Sequence, residues 1–194
     1  AKEFEHLDEA MLETFLAQHS SGLLVLAGCP EPSATSQTVD VGFAAKLLTL
    51  LRRRFRYIVI DLPQSMSPAS LHVMSRCQHL LVIVNFFELT TMRDTIALLA
   101  GVSGKYIGRE RIRLVGNRTL PHARSMMAEL EATTGYKVAH QIPDGGAAVL
   151  TALNTGEPFV LSAPRTPIAV SVRALAESLQ PSAAQEAEPP PGSS

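Results

Sequence analysis

Tryptophan is absent from this 194-residue chain, tyrosine occurs three times and cysteine twice. Two cysteines, Cys29 and Cys77, are too few for a disulfide framework or a structural zinc site. Both are expected to be reduced packing residues of a cytosolic protein. An excess charge of either sign is also lacking, with 17 basic residues against 18 acidic ones, a net charge of −1 and a pI of about 6.7. That balance offers no basic field to nucleic acid or to an anionic lipid surface. No uninterrupted apolar stretch approaches the roughly 20 residues that cross a bilayer, and no signal peptide is recognised, so a cytoplasmic chain is expected. Nor does any Gly-x-x-x-x-Gly-Lys-Ser/Thr loop occur, which removes the usual backbone cradle for nucleotide phosphates.

What is present reads as one core. The hydrophobic fraction of 46% and mean hydropathy of +0.14 suit an α/β domain with a covered sheet. Strand and helix signals alternate along the chain, the pattern of a parallel sheet with crossover helices. Leu7, Met11, Leu12, Phe15 and Leu16 predict a helix over 7–19. A strand over 22–28 is closed by the turn-prone Cys29-Pro30-Glu31-Pro32. A helix over 39–54 turns Phe43, Leu47, Leu48 and Leu51 inward and ends on Arg52-Arg53-Arg54. Those arginines are read as solvated charges favoured by the helix macrodipole rather than as a basic patch. Further on the pattern gives a helix from Ser67-Pro68 and a strand over 79–85. A helix over 89–102 follows, with Thr90 or Thr91 as its cap. Next come a strand over 111–117, a helix over 123–133 stopping at Gly135 and a short strand over 137–142. Helices over 147–154 and 167–179 close the pattern. One domain is expected over 1–180. The Pro/Ser/Glu-rich text of 181–194 cannot bury enough apolar surface to order itself.

The run Arg56-Tyr57-Ile58-Val59-Ile60-Asp61-Leu62-Pro63 is the most informative. Its apolar residues predict a strand buried on both faces, and Asp61 falls at the carboxyl end, on the rim where open α/β sheets bind ligands. A carboxylate there either caps the following turn or holds a nucleotide's Mg²⁺ through water. Parallel strands deliver their other ends to the same edge: Gly28-Cys29-Pro30, Asn85, Asn117-Arg118 and Pro143-Asp144-Gly145. Asn117 is a common turn former; it also carries an acceptor and two donors that suit a purine edge. Pro143-Asp144-Gly145 alone reads as a turn.

Taken in order these motifs resemble the ParA/MinD superfamily of deviant-Walker ATPases. They stand here as Ile60-Asp61-Leu62-Pro63, Val115-Gly116-Asn117-Arg118, Ile142-Pro143-Asp144 and Gly156-Glu157-Pro158. Leu7-Asp8 through Leu12, Ser21-Gly22-Leu23-Leu24-Val25-Leu26-Ala27 and Ala163-Pro164-Arg165-Thr166-Pro167 are similar to the CpaE/TadZ branch, which localises Flp/Tad pilus machinery at the cell pole. The likeness covers about residues 5 to 180. It implies a three-layer α/β fold of the P-loop NTPase kind, with a mostly parallel sheet and helices on both faces, incomplete at its N-terminus.

By that resemblance ATP and Mg²⁺ are the cofactors of the intact protein. Asp61 sits at the Mg²⁺ through a water, Asn117 binds adenine with Arg118 beside it, and the backbone of Pro143-Asp144 closes over the base. Pilus or secretion machinery and polar-localisation proteins are the implied partners, with room for a homodimer. The P-loop and the catalytic aspartate of family members lie upstream of the point where this chain starts, so no catalytic residue is expected here, and Gln64 stands where a second proline is frequent. Opening at Ala1-Lys2-Glu3, the chain reads as a truncated piece whose 57–60 strand has lost its P-loop neighbour and left an apolar edge.

Two other readings compete. A pseudo-ATPase scaffold or interaction domain would keep the fold without the chemistry. An unrelated receiver-like or flavodoxin-like binder is disfavoured, because no acidic cluster follows the first strand. The last helix has Arg173 as its only basic residue, against what an interfacial helix requires, so no direct membrane insertion is expected. The charge balance likewise supports no DNA binding.

Overall fold

Asp8 accepts a hydrogen bond from the Met11 N–H at 2.7 Å, and Asp40 accepts one from the Phe43 N–H at 3.1 Å. Each satisfies a donor that the first helical turn leaves without an intrahelical partner. They open α1 (Glu9–Phe15) and α2 (Val41–Arg54). The structure, a computed structural model, describes residues 7–28, 39–64, 66–86, 89–120 and 123–180. It divides into two units, Ala1–Cys77 and Gln78–Ser194.

In the first unit Leu7, Leu12 and Leu50 are buried together, with Met11, Leu16, Phe43, Leu47 and Leu51 packed against them. Each fully buried leucine contributes about 1.5–3 kcal/mol. The helix predicted over 7–19 stops at Phe15. Leu16–Gln18 instead forms β1, antiparallel to β2 (Leu24–Leu26), with Leu16 opposite Leu26. The turn between them explains the change: Gly22 adopts φ +87°. The His19 N–H donates to the Leu23 carbonyl at 2.8 Å and the Gly22 N–H to the His19 carbonyl at 2.9 Å. A left-handed glycine closes this hairpin at no steric cost. The turn foreseen over Cys29-Pro30-Glu31-Pro32 lies outside the described residues.

The arginines ending α2 are exposed, and Arg52 and Arg54 have partners. Arg54 pairs with Glu13 at 2.8 Å, and Arg52 donates to the Arg76 carbonyl at the end of α3 (Pro68–Arg76). As predicted, a helix begins at Ser67-Pro68 with Pro68 in its first turn; the structure adds that Ser67 caps it, accepting from the Ser70 N–H at 3.1 Å. Cys77 is partly buried, and its thiol donates to the Met74 carbonyl at 3.1 Å.

The strand predicted over 57–60 does not form. Val59 is 97% exposed and Tyr57 57% exposed, the opposite of burial on two faces. A strand exists only as a member of a ladder, and no described residue pairs with this run.

The second unit carries a parallel sheet in the order β3 (Leu80–Asn85), β4 (Ile112–Thr119), β5 (Val138–Pro143). Val82, Val84, Ile112 and Leu114 alternate onto one buried face. α4 (Leu89–Val102) packs on β3 and on α5 (Arg124–Thr134). α6 (Gly146–Thr155) and α7 (Phe159–Ser162) lead to α8 (Pro167–Ser178), which packs on β5. Helices thus flank a parallel sheet, as the alternation predicted. Thr90 and Thr91 lie inside the first turn of α4 rather than at its cap, because Leu89 is already helical. α5 stops at the foreseen Gly135, whose φ of +68° lets its N–H reach the Glu131 carbonyl at 2.8 Å.

α8 runs against the strand direction. Near its start the Ser171 hydroxyl donates to the Gln141 carbonyl at 2.7 Å, and the Ser171 carbonyl meets His140 Nε2 at 2.8 Å. At its end the Ser178 carbonyl accepts from Arg113 at 3.0 Å. At the amino edge of the sheet the Arg109 guanidinium stacks over the Tyr136 ring, 4.0 Å from its centre. Among the described residues no helix is long and apolar enough to cross a membrane. The tail over 181–194 lies outside them.

Candidate functional site

Because β3, β4 and β5 are parallel, their carboxyl ends lie along one edge. Asn85 is in register with Asn117, and Thr119 with Pro143. Gly116 sits one residue before this rim, and a Cβ there would lie 2.9 Å from Thr119 Cγ2 and 3.1 Å from Phe86 Cε2. The strand therefore needs a glycine at the point of closest approach. Register then shifts between Gly116 and Thr119. Within that bulge Arg118 adopts φ +52°, the one described non-glycine residue with positive φ. Left-handed backbone costs a side-chain-bearing residue about 1–2 kcal/mol. Bulges re-aim side chains, and here the Arg118 guanidinium lies 3.8 Å from Asp144 Oδ2.

Asp144 divides its carboxylate: Oδ1 accepts from the Gly146 N–H at 3.2 Å, opening α6, while Oδ2 faces Arg118. The Thr119 hydroxyl donates to the Ile142 carbonyl at 3.2 Å and ties the ends of β4 and β5 together. Asn117, Arg118, Pro143 and Asp144 are thus brought to one place. Neither Asn117 nor Asn85 has a side-chain hydrogen bond among the described residues, so the turn-forming reading of Asn117 gains no support. The turn reading of Pro143-Asp144-Gly145 holds together with the rim placement, since Asp144 serves both.

Asp61 belongs to the first unit. It is exposed, and among the described residues its carboxylate has no hydrogen-bond or ion-pair partner. The next helix is capped by Ser67, so Asp61 does not cap it. No three His, Cys, Asp or Glu side chains cluster as a metal chelate among the described residues. A single carboxylate without a partner suits Mg²⁺ held through water and ligand phosphates, not a protein cage. Gly28 is described and exposed, while Cys29 and Pro30 are outside the described residues.

Among the described residues two groups have displaced titrations, both at the opposite edge of the sheet. His79, just before β3, has its pKa lowered by burial and secondarily by the charge of Arg113. Glu131 is held below the ordinary carboxylate range by its bonds from Lys137 at 2.7 Å and the Val138 N–H at 2.9 Å. The sequence reading missed Gly116 and Thr119 as parts of the rim; a glycine inside an apolar strand was the available signal for the first.

The chain is similar in structure to the crystal structure of a ParA-family ATPase from Chlorobium tepidum TLS. The TM-score is 0.79 at 20% identity, covering 92% of this chain and 73% of that one. It is also similar to the MinD cell division protein of Aquifex aeolicus, with a TM-score of 0.61 at 16% identity, covering 87% of this chain and 71% of that one. No family model and no curated protein matches the sequence. The fold is therefore that of the ParA/MinD ATPases.

Proposed function

We propose that this chain is the carboxyl portion of a CpaE/TadZ-like ATPase that positions or assembles pilus or secretion machinery, with hydrolysis depending on a phosphate loop outside this sequence. The observation that carries the reading is the rim on a ParA/MinD-type sheet, where the bulged Arg118, next to Asn117, pairs with Asp144 beside Pro143. Asn117 offers donors and an acceptor to an adenine edge, and the Pro143-Asp144 backbone forms the neighbouring wall. Asp61 would hold Mg²⁺ through water, and a bound Mg²⁺ would neutralise phosphate charge. Among the described residues the rim holds amide, guanidinium and carboxylate groups, and the work this reading gives it is binding and positioning. A homodimer, polar localisation and cytoplasmic residence belong to the same reading.

Two measurements test it. In the protein carrying the segment encoded upstream of Ala1, ATP should bind with Mg²⁺ dependence and Asp61→Ala should weaken that binding. A fluorescent fusion of the same protein should collect at a cell pole, and its deletion should stop pilus or secretion assembly. Metal-independent binding sinks the ATPase assignment. A native start codon at this point, with a fusion that still localises, would favour the non-enzymatic scaffold.

A further inference from the structure

We infer that Asn85 is the sugar-binding residue of this rim. A nucleoside then lies across the three strand ends with its base over β4–β5 and its ribose over β3. This inference rests on the nucleotide reading above and adds a residue that the reading does not use.

The geometry is specific. Asn85 and Asn117 are direct partners in register, so their side chains leave the same face of adjacent strands, about 4.8 Å apart along the sheet. Asn85 is exposed, Asn117 is partly buried, and neither amide has a hydrogen bond among the described residues. Two residues back on the same face of β3, Ile83 is half exposed, so helix packing leaves room above this strand. Beyond the base, on the β5 side, the rim is closed: Arg118 pairs with Asp144, and Thr119 is tied to Ile142. Among the described residues, a base held between Asn117 and Pro143-Asp144 finds open room for its sugar toward β3. Ribose hydroxyls both donate and accept, and a primary amide answers both.

Saturation-transfer NMR with millimolar adenosine and 2′,3′-dideoxyadenosine, which lacks both ribose hydroxyls, reads this directly. It needs little protein and detects weak ligands. For the unaltered chain, adenosine should bind two- to tenfold more tightly, roughly one net hydrogen bond. Asn85→Leu should erase the difference between the two nucleosides, while Asn85→Asp, which still accepts from hydroxyls, should retain it. Asn117→Leu should reduce the base-proton signal of both nucleosides. Equal discrimination in the unaltered chain and Asn85→Leu overturns the inference, and if Asn117→Leu still loses the base signal, the nucleotide reading survives it. No base-proton signal from either nucleoside overturns both. Matching thermal melts, followed by circular dichroism, confirm that the substitutions act on binding rather than folding.

Discussion

Arg118 reaches to 3.8 Å from Asp144 from a backbone position that favours glycine. The strained conformation and the ion pair occur at the same residue, on the rim that holds Asn117, and backbone strain of this kind collects at functional sites. The pair itself is weak, since both side chains are about half exposed. Removing it should cost less than about 1 kcal/mol. Arg118→Ala keeps the strain and loses the pair, whereas Arg118→Gly loses both. We expect Arg118→Gly to be the more stable variant, by about 1 kcal/mol in urea unfolding. Equal midpoints would mean the left-handed geometry is not a cost.

Gly116→Ala should be more damaging than either. Its Cβ would press on Thr119 and Phe86, and overpacking of this kind costs about 1–3 kcal/mol. A urea midpoint unchanged by the substitution would show that the rim is loosely packed.

The chain as it stands should hydrolyse no ATP and show no saturable ATP–Mg²⁺ binding in the micromolar range. Positioning and charge stabilisation make up nearly all of phosphoryl-transfer catalysis, and the sequence has no phosphate loop to supply them. Titration with a labelled ATP analogue checks this. Micromolar saturation that Asp61→Ala abolishes would show the phosphate site has been misread.

In the upstream-extended protein, Asn117→Ala should erode preference for ATP over GTP by about 1–3 kcal/mol, the cost of leaving a polar edge unpaired. Competition between the two nucleotides gives the ratio. An unchanged ratio removes Asn117 from base recognition.

Stability should fall as pH drops below about 6.5, in part through His79. Its Nδ1 is buried without a hydrogen-bond partner among the described residues, and burial, then Arg113, lowers its pKa from the ordinary 6.5. The unfolded chain takes up a proton near that pH while the folded chain resists until lower, so protons favour unfolding across the interval. His79→Gln should flatten the decline of the urea midpoint between pH 7.5 and 5.5, about one unit either side of the unperturbed value. An identical decline in both proteins would assign it elsewhere.

Exposed apolar residues set the solution behaviour. Leu23, Tyr57 and Val59 are all more than half exposed. The outer edge of β3 has no partner strand among the described residues and reads Leu80-Leu81-Val82-Ile83-Val84, without a charge or proline to blunt it. The chain should bind ANS and sediment as more than a monomer. A monodisperse monomer with a cooperative melt and little dye fluorescence would contradict this.

Elements that carry their own local signals were legible in the sequence. Ser67-Pro68 starts a helix and Gly135 ends one by backbone chemistry that needs no distant partner. The apolar runs of β3 and β4 announced strands that do pair. Tyr57–Ile60 carried an equally strong apolar pattern and forms no strand, because pairing is a property of two segments and periodicity reports only one. Leu16 fits a helical stripe, yet Gly22 closes a hairpin that takes it into β1. At the rim, Asn117, Arg118 and Asp144 were identifiable by type and order. The positive φ of Arg118 was not, since arginine carries no preference for it.

The direction of α8 gives the second unit a fixed polarity. Ser171 lies beside Gln141 toward the rim, and Ser178 beside Arg113 at the amino edge. The polypeptide therefore leaves α8 on the side of the sheet away from Asn85, Asn117 and Asp144. A reporter or linker attached directly at Gln180 would therefore start from the amino edge of this sheet, and its point of attachment would not lie over Asn85, Asn117 or Asp144.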